Sequence, residues 1–219
     1  MKKIISSLSI LFLLLALNVK AEELVLHTDP KYINEYNNKY SFMLGLNPSM
    51  TKTNQLINAH FSYARETAEK YWWDYSFSII KGNFDKFTTN NATATGETNA
   101  RMVENNNSSS QILGGIGLLY RTEYSQSLIP VDSLYEMVGA SLTYNVYKDS
   151  NASKTFTGPG FIAKFSMLKK FSDYLSFGGN IIYNLAVVKR GQDSDQETSS
   201  QRSLTLSHVT VGFDLSIFL

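Results

Sequence analysis

A histidine and a serine two positions apart, His60 and Ser62, are the residues whose types and spacing could support catalysis. A histidine base beside a serine hydroxyl is the minimum arrangement for nucleophilic acyl transfer. Such a tripeptide also arises easily by chance. Catalysis through this pair therefore competes with a second hypothesis, in which both side chains are ordinary polar groups inside the protein.

Ionisable side chains of both positive and negative charge form a second group of residues that could take part in chemistry. A charge buried without a partner is very costly, so we expect these groups to pair with one another if they share an interior. The main hypothesis is one ion network that fills and rigidifies that interior. A gate or a proton-linked path is the alternative. The predicted network consists of His60, Asp74, Arg121, Glu123, Lys164 and Asp214.

Composition excludes several classes of site. The chain has no cysteine, which excludes a disulfide framework, a thiolate metal site and a cysteine nucleophile. Its three histidines, His27, His60 and His208, are scattered and do not make a metal site, and we expect no cofactor. The net charge is +1 and no basic block occurs, so nucleic acid is not an expected partner.

The elements that must position these side chains are β-strands. From Lys39 onward, apolar and polar residues alternate with a period of two, which indicates strands with one apolar face. Eight segments alternate in this way, and many run for the nine to eleven residues that a tilted membrane strand needs. Trp72 falls on the polar face of its segment, together with Asp74. We expect Asp74, Arg121 and His60 to lie at similar depth on neighbouring strands.

A ring of eight strands leaves an interior just wide enough for side chains, so we expect a closed, filled lumen. The connections alternate between short turns and longer polar loops, with a short exception around residues 48–54. This alternation is typical of an outer-membrane barrel whose two chain ends lie on the periplasmic side. The longest connection, residues 81–110, is rich in Asn, Thr and Ser. We expect this loop to be mobile and to carry any contact with a surface ligand.

The beginning of the chain is typical of an export signal. Lys2 and Lys3 precede an apolar stretch over residues 4–17, and Val19 and Ala21 offer a small-residue cleavage site. The predicted organisation is a cleaved bacterial signal peptide over residues 1–21, a periplasmic arm over 22–38 and a barrel over 39–219.

The last segment alternates to the final residue and carries Phe218 near its end, which resembles the C-terminal signal of outer-membrane barrels. The family usually ends in an aromatic residue, whereas here Phe218 is penultimate and Leu219 is last. The whole pattern resembles the small eight-stranded outer-membrane barrels of the OmpA and OmpX transmembrane type. The resemblance implies an all-β, antiparallel, up-and-down transmembrane barrel in the bacterial outer membrane. It also implies a monomer with a structural or surface-interaction role, no enzymatic activity, and contact with membrane lipid and lipopolysaccharide.

Several alternatives stay open at this point. His60 and Ser62 resemble part of the active site of the barrel lipid A deacylases, which would imply a lipid-modifying enzyme. In that family the pair lies near the C-terminal end and meets lipid from outside, whereas here it falls on the second strand and faces the lumen. A small channel or transporter for apolar solutes is a further alternative. A soluble lipocalin-like barrel, with its apolar face inward, and a β-sandwich are the non-membrane alternatives.

Overall fold

Almost every described residue belongs to a β-strand, apart from turns and a short 3-10 helix at Tyr124–Ser127. The computed structural model describes residues 37–48, 55–68, 70–84, 86–89, 100–103, 109–127, 129, 131–150, 154–191 and 203–219. The predicted signal peptide and nearly all of the predicted arm lie outside these residues. None of the described residues forms a helix long and apolar enough to cross a membrane.

Eight long strands close into a ring in which sequential barrel strands pair antiparallel and the last pairs with the first. A short hairpin interrupts the order between the third and fourth of them. The strands are β1 (Asn38–Leu46), β2 (Leu56–Ala68), β3 (Tyr71–Gly82), β4 (Lys86–Thr89), β5 (Ala100–Val103), β6 (Ser109–Thr122), β7 (Leu134–Asp149), β8 (Lys154–Ser172), β9 (Leu175–Lys189) and β10 (Ser203–Phe218). The eight-stranded, antiparallel, up-and-down barrel predicted from the sequence is confirmed. Its first strand begins one residue before the predicted start at Lys39.

The ring closes with a stagger of ten residues. The residues paired in turn on β2, β3, β6, β7, β8 and β9, starting from Lys39 on β1, lead around the ring to His208 on β10. Where the ring closes, however, Lys39 pairs directly with Phe218, which lies ten residues after His208. With a rise of about 3.3 Å per residue and about 4.8 Å between strands, this stagger tilts the strands by about 40° from the barrel axis. Side chains that meet inside the lumen therefore come from positions far apart in sequence.

The two ends of the barrel differ in their connections. At one end, the turn end, β2 joins β3 through a turn in which Lys70 has a φ of 70°, and Asp173 and Tyr174 join β8 to β9. The same end holds the β6–β7 connection, which begins at residue 123 and contains the 3-10 helix. The alternation had predicted a connection over Gln126 to Ser133. The other end, the loop end, holds the remaining connections.

The connection predicted as a long mobile loop, residues 81–110, contains regular structure. Its hairpin, β4 and β5, adds to the sheet at the loop end, where β4 pairs with Thr205 and Leu206 of β10. The pairing of β1 with β10 ends at Val211, so β4 pairs with a part of β10 that β1 does not cover. The connection therefore contains two short strands that the alternation did not predict, and its mobility stays a prediction.

The two faces of each strand differ as the alternation predicts. Most outward side chains along the eight barrel strands are apolar, and the buried polar side chains of these strands point into the lumen. Trp72 is 1% exposed and Trp73 is 42% exposed, so Trp72 points into the lumen. The sequence alone had left open whether Trp72 fills the lumen or the alternation of this segment slips by one residue. Two apolar clusters occupy the lumen on either side of the polar region. The cluster of the turn end contains Ala64, Trp72, Leu119, Tyr135, Met137, Leu168 and Phe218.

Candidate functional site: the polar lumen

A buried ion pair lies in the polar region of the lumen. Asp74 on β3 is fully buried and Lys164 on β8 is 6% exposed. The Lys164 Nζ lies 3.0 Å from Oδ1 and 2.9 Å from Oδ2 of Asp74. Ser62 also donates a hydrogen bond to Asp74 Oδ1, and the Ser141 hydroxyl donates to Oδ2 at 3.2 Å. Four strands, β2, β3, β7 and β8, therefore contribute to one charged cluster.

Asp214 on β10 is a further buried carboxylate in the lumen, and neutral side chains donate hydrogen bonds to it. Its oxygens accept hydrogen bonds from Ser216 at 2.8 Å, from Asn180 at 3.2 Å and from Ser166 at 3.4 Å. These three donors come from β10, β9 and β8. A carboxylate held by several donors keeps its charge inside the protein at a lower cost than an unpartnered one.

A buried lysine that the sequence analysis did not include belongs to the same network. Lys39 is 3% exposed and donates a hydrogen bond to the Ser41 hydroxyl at 2.7 Å. The Ser41 hydroxyl lies 3.0 Å from that of Ser216, which bonds to Asp214. The alternation with Tyr40 and its neighbours already placed Lys39 on the inward face, so a strict face assignment could have found it. Lys39 and Lys164 balance the two carboxylates of the lumen.

Arg121 and Glu123 lie apart from this cluster, towards the turn end. The Arg121 Nη2 is 3.1 Å from Glu123 Oε1, and the guanidinium stands 4.7 Å from the centre of the Tyr135 ring. Gly117, not Arg121, is the β6 partner of Asp74, so Arg121 is displaced by four residues, or about 13 Å along the strand. His60 is displaced by four residues in the opposite direction. The structure thus separates three side chains that we expected at one depth.

The proposed catalytic pair, His60 and Ser62, is not assembled for acyl transfer. The His60 Nδ1 lies 2.6 Å from the Ser78 hydroxyl, and its Nε2 has no hydrogen-bond partner among the described residues. Ser62 bonds instead to Asp74 and lies 3.3 Å from Lys164 Nζ. Both side chains are buried inside the barrel, where an ester of a membrane lipid does not reach them. No observation on these residues therefore favours the enzyme hypothesis.

A band of neutral polar side chains adjoins the second apolar cluster, that of the loop end. This cluster includes Leu56, Ile80, Phe84, Leu113, Tyr147 and Phe156. Asn58 donates a hydrogen bond to Thr210 at 3.0 Å. The Asn58 Oδ1, both amide atoms of Asn184 and both ring nitrogens of His208 lack a partner among the described residues. Buried groups of this kind generally bind ordered water. This band is therefore suited to internal hydration.

Apolar side chains fill the lumen at both ends of the polar region. Near the turn end, Trp72 and Tyr135 pack edge-on against Phe218, with ring centres 6.3 Å and 6.5 Å apart. Towards the loop end, Phe84 packs edge-on against Tyr147 at 5.3 Å and against His208 at 5.6 Å. The polar residues between these clusters form no group of three metal-ligating side chains within the part of the chain that the structure describes.

Comparisons with known proteins find distant likenesses to solved structures. No protein-family model and no curated protein matches this sequence. A solved structure of Neisserial surface protein A is 7% identical, with a TM-score of 0.49 over 83% of this chain and 96% of that one. A major outer membrane protein from Thermus thermophilus is 10% identical, with a TM-score of 0.44 over 82% of this chain and 98% of that one. With TM-scores below 0.5 and identities this low, neither likeness carries an argument about this chain.

Proposed function

We propose that this protein is an integral barrel of the bacterial outer membrane, with a filled lumen and a structural or surface-interaction role. The observation that supports the proposal is that the outer face of the barrel wall is apolar and the inner face is polar. Large apolar side chains such as Leu142, Phe213 and Leu44 are more than half exposed on the outer surface, whereas the buried charges lie inside. A soluble barrel needs the opposite arrangement, because exposed apolar surface of this extent is unfavourable in water.

The same observation bears on the soluble alternatives. A lipocalin-like barrel would place its apolar face inside, around a ligand. Here the inner face carries the Lys164–Asp74 pair and the outer face is apolar. A β-sandwich would leave sheet edges open, whereas β1 pairs with β10 along eight residues of each strand. The membrane provides the solvent that this outer surface requires, because a closed ring leaves no strand edge unpaired in lipid.

The proposed orientation places the turn end in the periplasm and the loop end outside the cell. Longer connections face outward in barrels of this kind, and the longest one here lies at the loop end. Its hairpin, β4 and β5, stands beside β10 and would be the first element that a surface ligand meets. The proposal also includes contact with lipopolysaccharide or a surface ligand through residues 81–110. It further includes a monomeric state.

Heat-modifiability tests the membrane barrel. The protein from an outer-membrane fraction is run on a detergent gel before and after boiling. A closed barrel resists the detergent when cold and changes mobility after boiling. A soluble periplasmic protein without a mobility shift would overturn the proposal.

Cysteine labelling tests the orientation, and the cysteine-free chain makes single replacements unambiguous. Ser150→Cys lies at the loop end and Asp173→Cys at the turn end, and both positions are exposed. A maleimide that does not cross membranes should label Ser150→Cys in intact cells. Asp173→Cys should react only after the envelope is permeabilised. The reverse pattern would invert the proposed orientation without affecting the barrel itself.

A further inference from the structure

A row of lysine and hydroxyl side chains crosses the outer surface of four neighbouring strands near the loop end. Each member is paired in register with the next, so all four lie on one face of the sheet. With about 4.8 Å between strands, the Cα atoms of the two lysines are about 9.6 Å apart, and a serine stands between them. This lysine row consists of Lys81 on β3, Ser110 on β6, Lys148 on β7 and Thr155 on β8.

An apolar row adjoins the lysine row on the side of the turn end. Ile79, Ile112 and Val146 are the next outward positions along β3, β6 and β7, and they too are paired in register. All three side chains are exposed on the outer wall. Successive positions of one face are about 6.6 Å apart along a strand, so the wall changes from apolar to cationic within that distance. The lysine row thus marks the edge of the apolar band on these three strands.

The positive charge of the row is not neutralised within the described part of the chain. Among those residues, neither lysine ammonium group of the row forms an ion pair or a hydrogen bond, and both side chains are exposed. Asp149 follows Lys148 in sequence, but successive side chains of a strand point to opposite faces, and Asp149 is paired with Lys154. Lysine ammonium groups bind phosphate as compact point charges. Two of them on either side of a hydroxyl are therefore suited to one phosphate group.

The apolar row indicates what kind of molecule carries the phosphate. A soluble phosphate compound would contact the lysines alone, whereas a lipid contacts both rows, with its phosphate on the cations and its acyl chains on the apolar residues. The proposed orientation places the loop end outside the cell, where the outer leaflet contains lipopolysaccharide, an acylated lipid that carries phosphate. A single lysine at a membrane edge extends towards water without selecting a headgroup. Two lysines that flank a serine in register form a defined arrangement that can hold one phosphate.

We propose that the lysine row binds a phosphate group of lipopolysaccharide in the outer leaflet. Lys81 and Lys148 flank the phosphate, the Ser110 hydroxyl donates a hydrogen bond to it, and the acyl chains lie against the apolar row. This assignment rests on the proposed membrane location and orientation. It goes beyond the proposed contact through residues 81–110 because it places a binding site on the barrel wall and names the chemical group that is recognised.

Titration of the full-length mature protein in detergent with purified lipopolysaccharide tests the site. The site variant is Lys81→Gln/Lys148→Gln. The matched control is Arg65→Gln/Lys169→Gln, which removes two positive charges from exposed outward positions at the turn end. Both variants change the net charge by the same amount, so general electrostatic attraction changes equally. Wild type and control should bind lipopolysaccharide with the same affinity, and the site variant should bind it on the order of ten-fold more weakly.

Two further probes identify the group that is recognised. Lipopolysaccharide whose phosphates have been removed enzymatically should bind the wild type as weakly as it binds the site variant. Phosphatidylglycerol, a phospholipid of negative charge, should bind the wild type more weakly than lipopolysaccharide does.

Several results would overturn the site. Equal affinities of all three proteins would mean that the lysine row does not hold the lipid, and equal weakening of both variants would reduce the effect to net charge. Undiminished binding of the dephosphorylated lipid would exclude phosphate as the recognised group. Binding of phosphatidylglycerol as tight as that of lipopolysaccharide would assign the row to a phospholipid instead. Heat-modifiability of all three proteins separates these outcomes from failure of the membrane proposal, which would remove the mobility shift from the wild type itself.

Discussion

Lys164 on β8 and Asp74 on β3 meet inside the barrel, with the ammonium nitrogen 2.9 Å from one carboxylate oxygen and 3.0 Å from the other. Removal of one partner leaves the other charge buried and unpaired. We therefore expect Lys164→Met to lower the free energy of unfolding by about 3–5 kcal/mol. Urea unfolding of the barrel in lipid vesicles, followed by the gel shift, measures the change.

The double variant Lys164→Met/Asp74→Asn is the control for this prediction. It removes both charges and retains groups of similar size, so it should recover much of the lost stability. A double variant as unstable as the sum of the two single ones would mean that the two side chains act independently. The ion pair would then have no direct coupling.

Trp72 and Trp73 are neighbours in sequence but lie on opposite faces of β3. Alanine substitutions at these two positions therefore form a matched pair that tests the apolar cluster of the turn end. Trp72 packs against Phe218 and is almost fully buried. Trp72→Ala should therefore cost about 3–5 kcal/mol, because it leaves a cavity between Leu119, Phe218 and their neighbours. Trp73→Ala should cost clearly less in the same unfolding assay. Equal losses would contradict the buried position of Trp72.

The same two residues are the only tryptophans of the chain, so fluorescence can locate each face. In Trp72→Phe the remaining tryptophan faces outward, and phospholipids with brominated acyl chains should quench it strongly. In Trp73→Phe the remaining tryptophan lies inside the barrel and should be protected from the same lipids. Quenching of both to the same extent would exclude a closed wall between lipid and lumen.

Two glycines of β6 should respond differently to an added methyl group. A Cβ at Gly117 would collide with the Ala140 carbonyl oxygen and the Ser141 hydroxyl, whereas a Cβ at Gly114 would meet no atom within 4 Å. Gly117→Ala should therefore destabilise the barrel by about 1–3 kcal/mol through overpacking. Gly114→Ala should be neutral or slightly stabilising. Thermal loss of the gel shift in parallel samples compares them, and an identical midpoint would refute the close approach at Gly117.

Some of the site could be predicted because it depends on local alternation alone. The inward positions of Asp74, Lys164 and Asp214 follow from their phase relative to apolar neighbours, and the structure places all three side chains in the lumen. Lys39 had the same phase, but it stood at the boundary drawn between the arm and the barrel. The hairpin β4 and β5 had no comparable pattern, because a polar segment rich in Asn and Thr gives short strands little periodicity.

The alternation in the amino-acid sequence was enough to locate the eight barrel strands and the apolar face of each, since a period of two is a property of neighbouring residues. Only the tertiary structure decided which inward side chains meet. Whether Asp74 pairs with Lys164 or with Arg121 depends on the stagger of ten residues around the ring, and that stagger arises from the pairing of all eight strands. A shift by two residues between any two strands would preserve every face and change every partner across the lumen.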